Sequence, residues 1–152
     1  MFDKHKRKIA APGHEIWVDK FLTETNVKAL KLTPITLVAA PKTGYHLIFC
    51  GALIHKPANT DAYAAPGAGD DLSIQYTDEN GLAVGGCETT GVMDQTTVQT
   101  RWVNRYNAAS ANSAIVPVTA SPLILCILAN DIVDGNGLLH VRTFYKVLPD
   151  AI

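Results

Sequence analysis

The sequence is poor in the features that most directly announce a function. Its 152 residues are 47% apolar, yet no apolar run approaches the ~20 residues that cross a bilayer as a helix. No long apolar stretch follows the charged opening Asp3-Lys4-His5-Lys6-Arg7-Lys8, so neither a membrane span nor a signal peptide is expected. The three cysteines, Cys50, Cys87 and Cys126, are odd in number and lack C-x-x-C spacing. That argues against a disulfide framework or a structural zinc site and for reduced, unpaired thiols. A net charge of -1 gives no overall pull toward nucleic acid. With aromatics at 7%, little is left over for a sugar-stacking platform once a core has been built.

Catalytic signatures are missing as well. There is no G-x-S-x-G, and each cysteine sits in an apolar or glycine-rich context rather than beside a base that would lower its pKa. Gly85-Gly86 and Gly67-x-Gly69 lack the following helix and lysine of a phosphate loop. Asp70 and Asp71 are adjacent at the start of a strand, so they point to opposite faces and do not share a proton. Asp131-x-x-Asp134-Gly-Asn136 lacks the residue order and distal Glu of a calcium loop. For a transition metal, His46 and Cys50 share strand parity, but His55 falls on the opposite face, and His5 and His14 lie far toward the N-terminus. The expectation is a non-enzyme with no catalytic, cofactor-binding or metal-ligating residues.

What is present is unevenly placed. Residues 1–31 carry seven Lys or Arg against four acids, whereas residues 57–100 carry seven acids and no Lys or Arg. The basic opening has neither a period of 2 nor a period of 3.6 and is interrupted by Pro12-Gly13, which reads as an extended N-terminal arm over residues 1–22 ahead of a single β domain over 23–152. Apolar Ile9, Ile16, Trp17 and Phe21 on that arm need a docking surface, and Lys4, Lys6, Arg7 and Lys8 would steer and orient it. The domain itself offers no recognition helix and no interleaved basic and aromatic stripe, so an acidic protein surface is preferred over direct nucleic-acid binding.

Thr23 caps a short helix with Val27 and Leu30 on one side. Eight strand-like segments follow: 35–39, 46–54, 72–76, 83–88, 98–103, 115–119, 123–128 and 138–148. The fold expected is therefore all-β, an antiparallel sandwich or jelly-roll-like barrel of about eight strands with one short helix. Segments 46–54 and 123–128 are apolar almost throughout, as for central strands covered on both faces or with one face in a subunit contact. In 72–76 the alternation predicts one buried and one wet face. In the last strand Leu139, Val141, Thr143, Tyr145 and Val147 should point inward and His140, Arg142 and Lys146 outward. Asn80-Gly81 and the Asp134–Gly137 stretch read as turns that tolerate positive φ. The longer connections 56–70 and 104–114 are candidate surface loops in which Tyr63, Arg105 and Tyr106 could contact a ligand.

Val27-Lys28-Ala29-Leu30 with Thr33-Pro34-Ile35-Thr36-Leu37-Val38-Ala39-Ala40-Pro41, then Gly69-Asp70-Asp71-Leu72-Ser73-Ile74-Gln75-Tyr76-Thr77, Glu88-Thr89-Thr90-Gly91-Val92-Met93-Asp94 and Gly137–Val147 together resemble, in that order, small tailed-phage virion proteins of the head decoration or cement type. The resemblance implies a non-enzymatic protein made in the bacterial cytoplasm and carried on the outer capsid surface. Its partners would be the major capsid protein and itself, as a dimer or trimer, and its task stabilisation of the shell. The rival reading is a β-sandwich binding module that uses the loops to recognise a glycan or host surface.

Overall fold

The computed structural model describes residues 13–64, 71–106, 117–128 and 130–151. Among them eight strands form two four-stranded antiparallel sheets. The strands are β1 (Ile16–Leu22), β2 (Ile35–Val38), β3 (Tyr45–Lys56), β4 (Leu72–Tyr76), β5 (Ala83–Cys87), β6 (Gln99–Asn104), β7 (Leu123–Ile127) and β8 (Leu139–Pro149), with α1 (Glu24–Lys28) between β1 and β2. The first sheet runs β1-β8-β3-β6 and the second β2-β7-β4-β5.

The pairing has a simple logic. β1 pairs with β8, β2 with β7, β3 with β6 and β4 with β5. The first half of the chain thus forms an antiparallel ribbon with the second half. Wrapping that ribbon brings β3 beside β8 and β4 beside β7, which produces the two sheets of a jelly roll. The all-β sandwich expected from the strand pattern is the fold observed.

Seven expected strands lie where alternation or apolar runs placed them, and β3 and β7 are central in their sheets. The eighth strand is elsewhere. Ile16–Leu22, read as arm, is β1 and pairs along its whole length with β8. The arm reading missed it because apolar residues occupy both faces around Asp19 and Lys20, which hides the period of 2. Of the expected strand 115–119, residues 115 and 116 lie outside the described residues, and Thr119 forms only an isolated bridge with His46.

Between the sheets sits one core. Leu47, Phe49, Ile54 and Val141 of the first sheet meet Ile74 and Leu125 of the second, all essentially inaccessible. A polar tie crosses it: the buried Tyr76 hydroxyl of β4 donates to the Leu47 carbonyl of β3, and burial pushes the phenol up to about 12. Gly85 is required for close approach, since a Cβ there would lie 2.7 Å from the Phe49 ring. The β8 parity is as expected, with Leu139, Val141 and Thr143 fully buried.

Helix α1 begins at Thr23, whose hydroxyl accepts from the Asn26 N–H while the Asn26 amide oxygen accepts from the Thr23 N–H, a capping box closed by Asn. Val27 and Leu30 seal its inner side.

Three local expectations are corrected. β4 is buried at every position, and the covered Gln75 amide is satisfied locally, its nitrogen donating to the Asp78 and Glu79 carbonyls, 3.0 and 3.1 Å away, and its oxygen accepting from Ser73 Oγ. The residue before the β4–β5 turn that adopts positive φ is Thr77, at 68°, whereas Gly81 is needed because a Cβ would collide with the Tyr76 carbonyl. Finally, a β-bulge between Phe49 and Gly51 resets the parity of β3. Leu47 and Phe49 are buried before it, Ala52 and Ile54 after it. His46 and His55 therefore share the outer face, not opposite faces.

Candidate functional site: the outer face of the first sheet

Register defines this face in three rungs across β1, β8, β3 and β6. Trp17 lies opposite Phe144, which is opposite Gly51 and then Asn104; Asp19, Arg142, Leu53 and Trp102 form the next rung; Phe21, His140, His55 and Thr100 the third. Residues directly opposite share a face. These three rungs thus collect four aromatic side chains and one aliphatic one around a single carboxylate.

The aromatic residues are held, though exposed. Trp17, Phe21 and Trp102 keep 60%, 72% and 54% of their surface open to solvent. Phe21 stacks on His140 with centroids 4.3 Å apart and planes 9° from parallel. The Arg142 guanidinium lies 5.9 Å from the Trp17 ring centre, a cation–π distance. Trp102 leans on Phe144 at 5.3 Å and donates from Nε1 to Asn104 Oδ1 at 2.9 Å. It also lies over Gly51, where a Cβ would come within 2.8 Å of its ring. The bulge and the glycine together make room for the indole.

Asp19 ties the rungs together. Arg142 donates Nε to Oδ1 at 2.8 Å and a terminal nitrogen to Oδ2 at 3.0 Å, the two-point geometry that a guanidinium offers a carboxylate. His140 Nε2 is 2.8 Å from the same Oδ1. Hydrogen bonding to Arg142 is the largest influence on Asp19 and, with His140, holds its carboxyl below the usual carboxylate range despite partial desolvation. Asp19 raises Arg142 in return. One formal negative charge is thereby matched by one positive, and the face alternates aromatic rings with polar groups, its central charges already satisfied.

Of the residues proposed from sequence, Trp17 and Phe21 belong to this face. Ile16 pairs with Tyr145 and sits on the opposite side of β1 from Trp17, so the two do not act together. Lys4, Lys6, Arg7, Lys8 and Ile9 lie outside the described residues. The loop group separates. Tyr63 is buried, donates its hydroxyl to the Gly137 carbonyl at 2.7 Å and has its phenol pushed up to about 12 by burial. It is a core residue, not a loop contact, because the segment around it folds onto the Asp134–Gly137 turn, where Asn136 Oδ1 receives the Thr60 and Asp61 N–H groups. Arg105 and Tyr106 follow β6 and are exposed. Trp102, Phe144, Leu53 and the Asp19–Arg142–His140 cluster were missed as a group. The outward parity of His140 and Arg142 was the available signal; the cross-strand register that assembles the rest was not.

Other chemistry is sparse. Cys50, Cys87 and Cys126 are free thiols, all raised by burial, Cys126 to about 11, which disfavours the nucleophilic thiolate. Among the described residues no group of three or more His, Cys, Asp or Glu side chains is placed to hold a metal ion, and no helix is long and apolar enough to cross a membrane. Lys56 is buried on the inward side of β3, its ammonium donating to Asn59 Oδ1 at 2.9 Å and to the Pro57 and Thr97 carbonyls. Desolvation lowers its pKa. These bonds staple the loop after β3 rather than address a ligand.

No protein-family model matches the chain, and no curated protein matches it. Among solved structures, the chain is similar to one in the capsid asymmetric unit of cyanophage Pam1, with a TM-score of 0.41 and 15% sequence identity, over 97% of this chain and 98% of that one.

Proposed function

We propose that this is a non-enzymatic virion structural protein of the capsid decoration type, a homo-oligomer that docks on the major capsid protein and stabilises the shell from outside. The observation that carries the reading is the exposed aromatic face of the first sheet, held rigid by the Asp19–Arg142–His140 cluster. Large aromatics and Arg, presented on a preorganised surface with its charges already paired, are the composition of a protein–protein contact centre. The ordered sequence resemblance to decoration proteins supplies the kind of partner. Jelly rolls serve in capsids and in lectins alike, so the fold by itself does not choose between them. The binding-module reading loses Tyr63, which the core has claimed.

A decoration protein needs only a modest contact per copy, because many copies bridging neighbouring shell subunits gain through avidity. The test is occupancy on particles assembled without the protein. Leu53→Glu with Trp102→Glu places charge in the centre of the face and should abolish occupancy while the β-sheet circular dichroism is retained. Deleting residues 2–12 leaves β1 intact and asks separately what the basic segment adds. Full occupancy by the Glu variant would sink this reading of the face.

A further inference from the structure

On the homo-oligomeric reading above, we infer that β1 is the edge through which two copies join: β1 pairs antiparallel with β1 of a second copy about a two-fold axis at Asp19. Trp17 of each copy then lies against Phe21 of the other, and the four-stranded first sheet becomes one continuous sheet of eight strands.

Among the described residues the first sheet has two edges, β1 and β6. An edge strand offers backbone N–H and C=O groups to any strand that arrives, and sheets ordinarily blunt such edges with charge or cover them. β6 is blunted by exposed Thr100, Arg101 and Asn104. β1 is not. Over seven residues it displays Trp17 and Phe21, more exposed than Trp102 on the other edge.

The sequence of β1 is also self-complementary. A two-fold centred on Asp19 sets Ile16 against Leu22, Trp17 against Phe21 and Val18 against Lys20, and only Asp19 meets itself. Centring on Val18 would put Trp17 against Asp19, and centring on Lys20 would put Phe21 against Asp19 and Lys20 against Lys20. The Asp19 to Asp19 approach is tolerable because each carboxylate already has a bidentate guanidinium and a histidine. Lys20 opposes pairing, as an inward charge on an edge strand does. Its stem can cross Val18 of the second copy with the ammonium in water, which keeps the contact reversible and selective against other edges.

The area is modest. Trp17 and Phe21 are 60% and 72% exposed, so flank-to-flank pairing covers only part of the ~150–250 Å² each ring can bury, and with the strand backbones it makes a contact at the small end of the ~1,000 Å² scale of specific interfaces. Because such an axis stands perpendicular to the sheet, both aromatic faces look the same way, and the pair presents one double-width platform to a shell.

The full chain is examined by sedimentation equilibrium over ~1–100 µM, a range that resolves reversible dimers by mass action, as wild type, Trp17→Lys, Phe21→Glu and the double variant. Wild type should reach twice the monomer mass. Each single change should raise the dissociation constant about ten-fold or more, as for an interface anchor, with the circular dichroism unchanged. The double variant should recover the dimer, since opposite charges then meet twice across the axis. A dimer indifferent to the single changes, or a double variant no better than either single one, overturns β1 pairing while leaving an oligomer through another surface. A wild type that stays monomeric overturns both the pairing and the homo-oligomer. The virion reading is judged separately, by particle occupancy.

Discussion

The two sheets of this molecule have the same number of strands and opposite relations to water. In the second sheet β4 and β7 are buried at every position: Ile124, Cys126, Ser73 and Gln75 lie on the side away from the core and are still covered. In the first sheet only the inward side is sealed, and the outward side carries Trp17, Phe21 and Trp102 in the open. Both sheets contribute to the same core, so the extra exposure of the first is not required for folding. An apolar surface kept out of the core but organised by cross-strand stacking and a bidentate ion pair is the feature on which the proposed contact role rests.

If that contrast is right, substitutions in the second sheet should cost stability and substitutions on the open face should not. Leu125→Ala, at the centre of β7 and fully buried, is expected to have the largest effect, a loss of about 2–5 kcal/mol by denaturant titration. A loss under about 1 kcal/mol would mean that the second sheet is not the sealed half.

Next comes the tie between the sheets. Tyr76→Phe removes the hydroxyl that donates to Leu47 and should cost about 1–2 kcal/mol at neutral pH. Its pH dependence has a definite sign. Because the folded-state value is raised from 10.0 to about 12, the stability linked to the neutral phenol is fully present below pH 10 and is lost as pH rises toward 12. Tyr63 adds a second loss of the same sign. Tyr76→Phe should therefore flatten but not abolish the alkaline decline of the melting temperature.

On the open face Asp19→Asn should cost less, about 0.5 kcal/mol, as expected of a partly exposed ion pair. Here the folded-state value is lowered below 3.8, so the stabilisation is present above pH 3.8 and disappears as pH falls through the lowered value. Wild type and variant should differ at neutral pH and converge in acid. A difference that did not shrink as pH fell below 3.8 would show that Asp19 acts through something other than its charge.

The same contrast explains what could be read in advance. Strand positions followed from alternation, clearest in β8, where the odd residues point inward and His140 and Arg142 outward, and from apolar runs such as β7 that mark fully covered strands, whereas the division into two sheets did not. β1 was hidden because apolar residues stand on both its faces, Ile16, Val18 and Leu22 toward the core and Trp17 and Phe21 toward solvent, which erases the period of 2. The β3 parity was lost at the bulge beside Gly51, a one-residue event with no periodic signature. Tyr63 looked like a loop residue because its partner, the Gly137 carbonyl, is 74 positions away. The site was legible one strand at a time, through Trp17, Phe21, His140 and Arg142, but its assembly depends on long-range register.

The smallest stability effect is the most informative about function. Trp102 is large, yet more than half of it remains in solvent, and its ring rests on Phe144 and the Gly51 backbone rather than in the core. Trp102→Ala therefore removes little surface that folding has buried and should change stability by no more than about 0.5 kcal/mol, the range of ordinary surface substitutions. In a complex the same ring would be covered completely, and truncation should then weaken binding by more than about 1 kcal/mol, as at an interface anchor. Chemical denaturation and particle occupancy, measured on one preparation, separate the two quantities. A variant that loses stability without losing occupancy would make Trp102 a prop for β3 and β6, and the contact surface would then have to centre on β1.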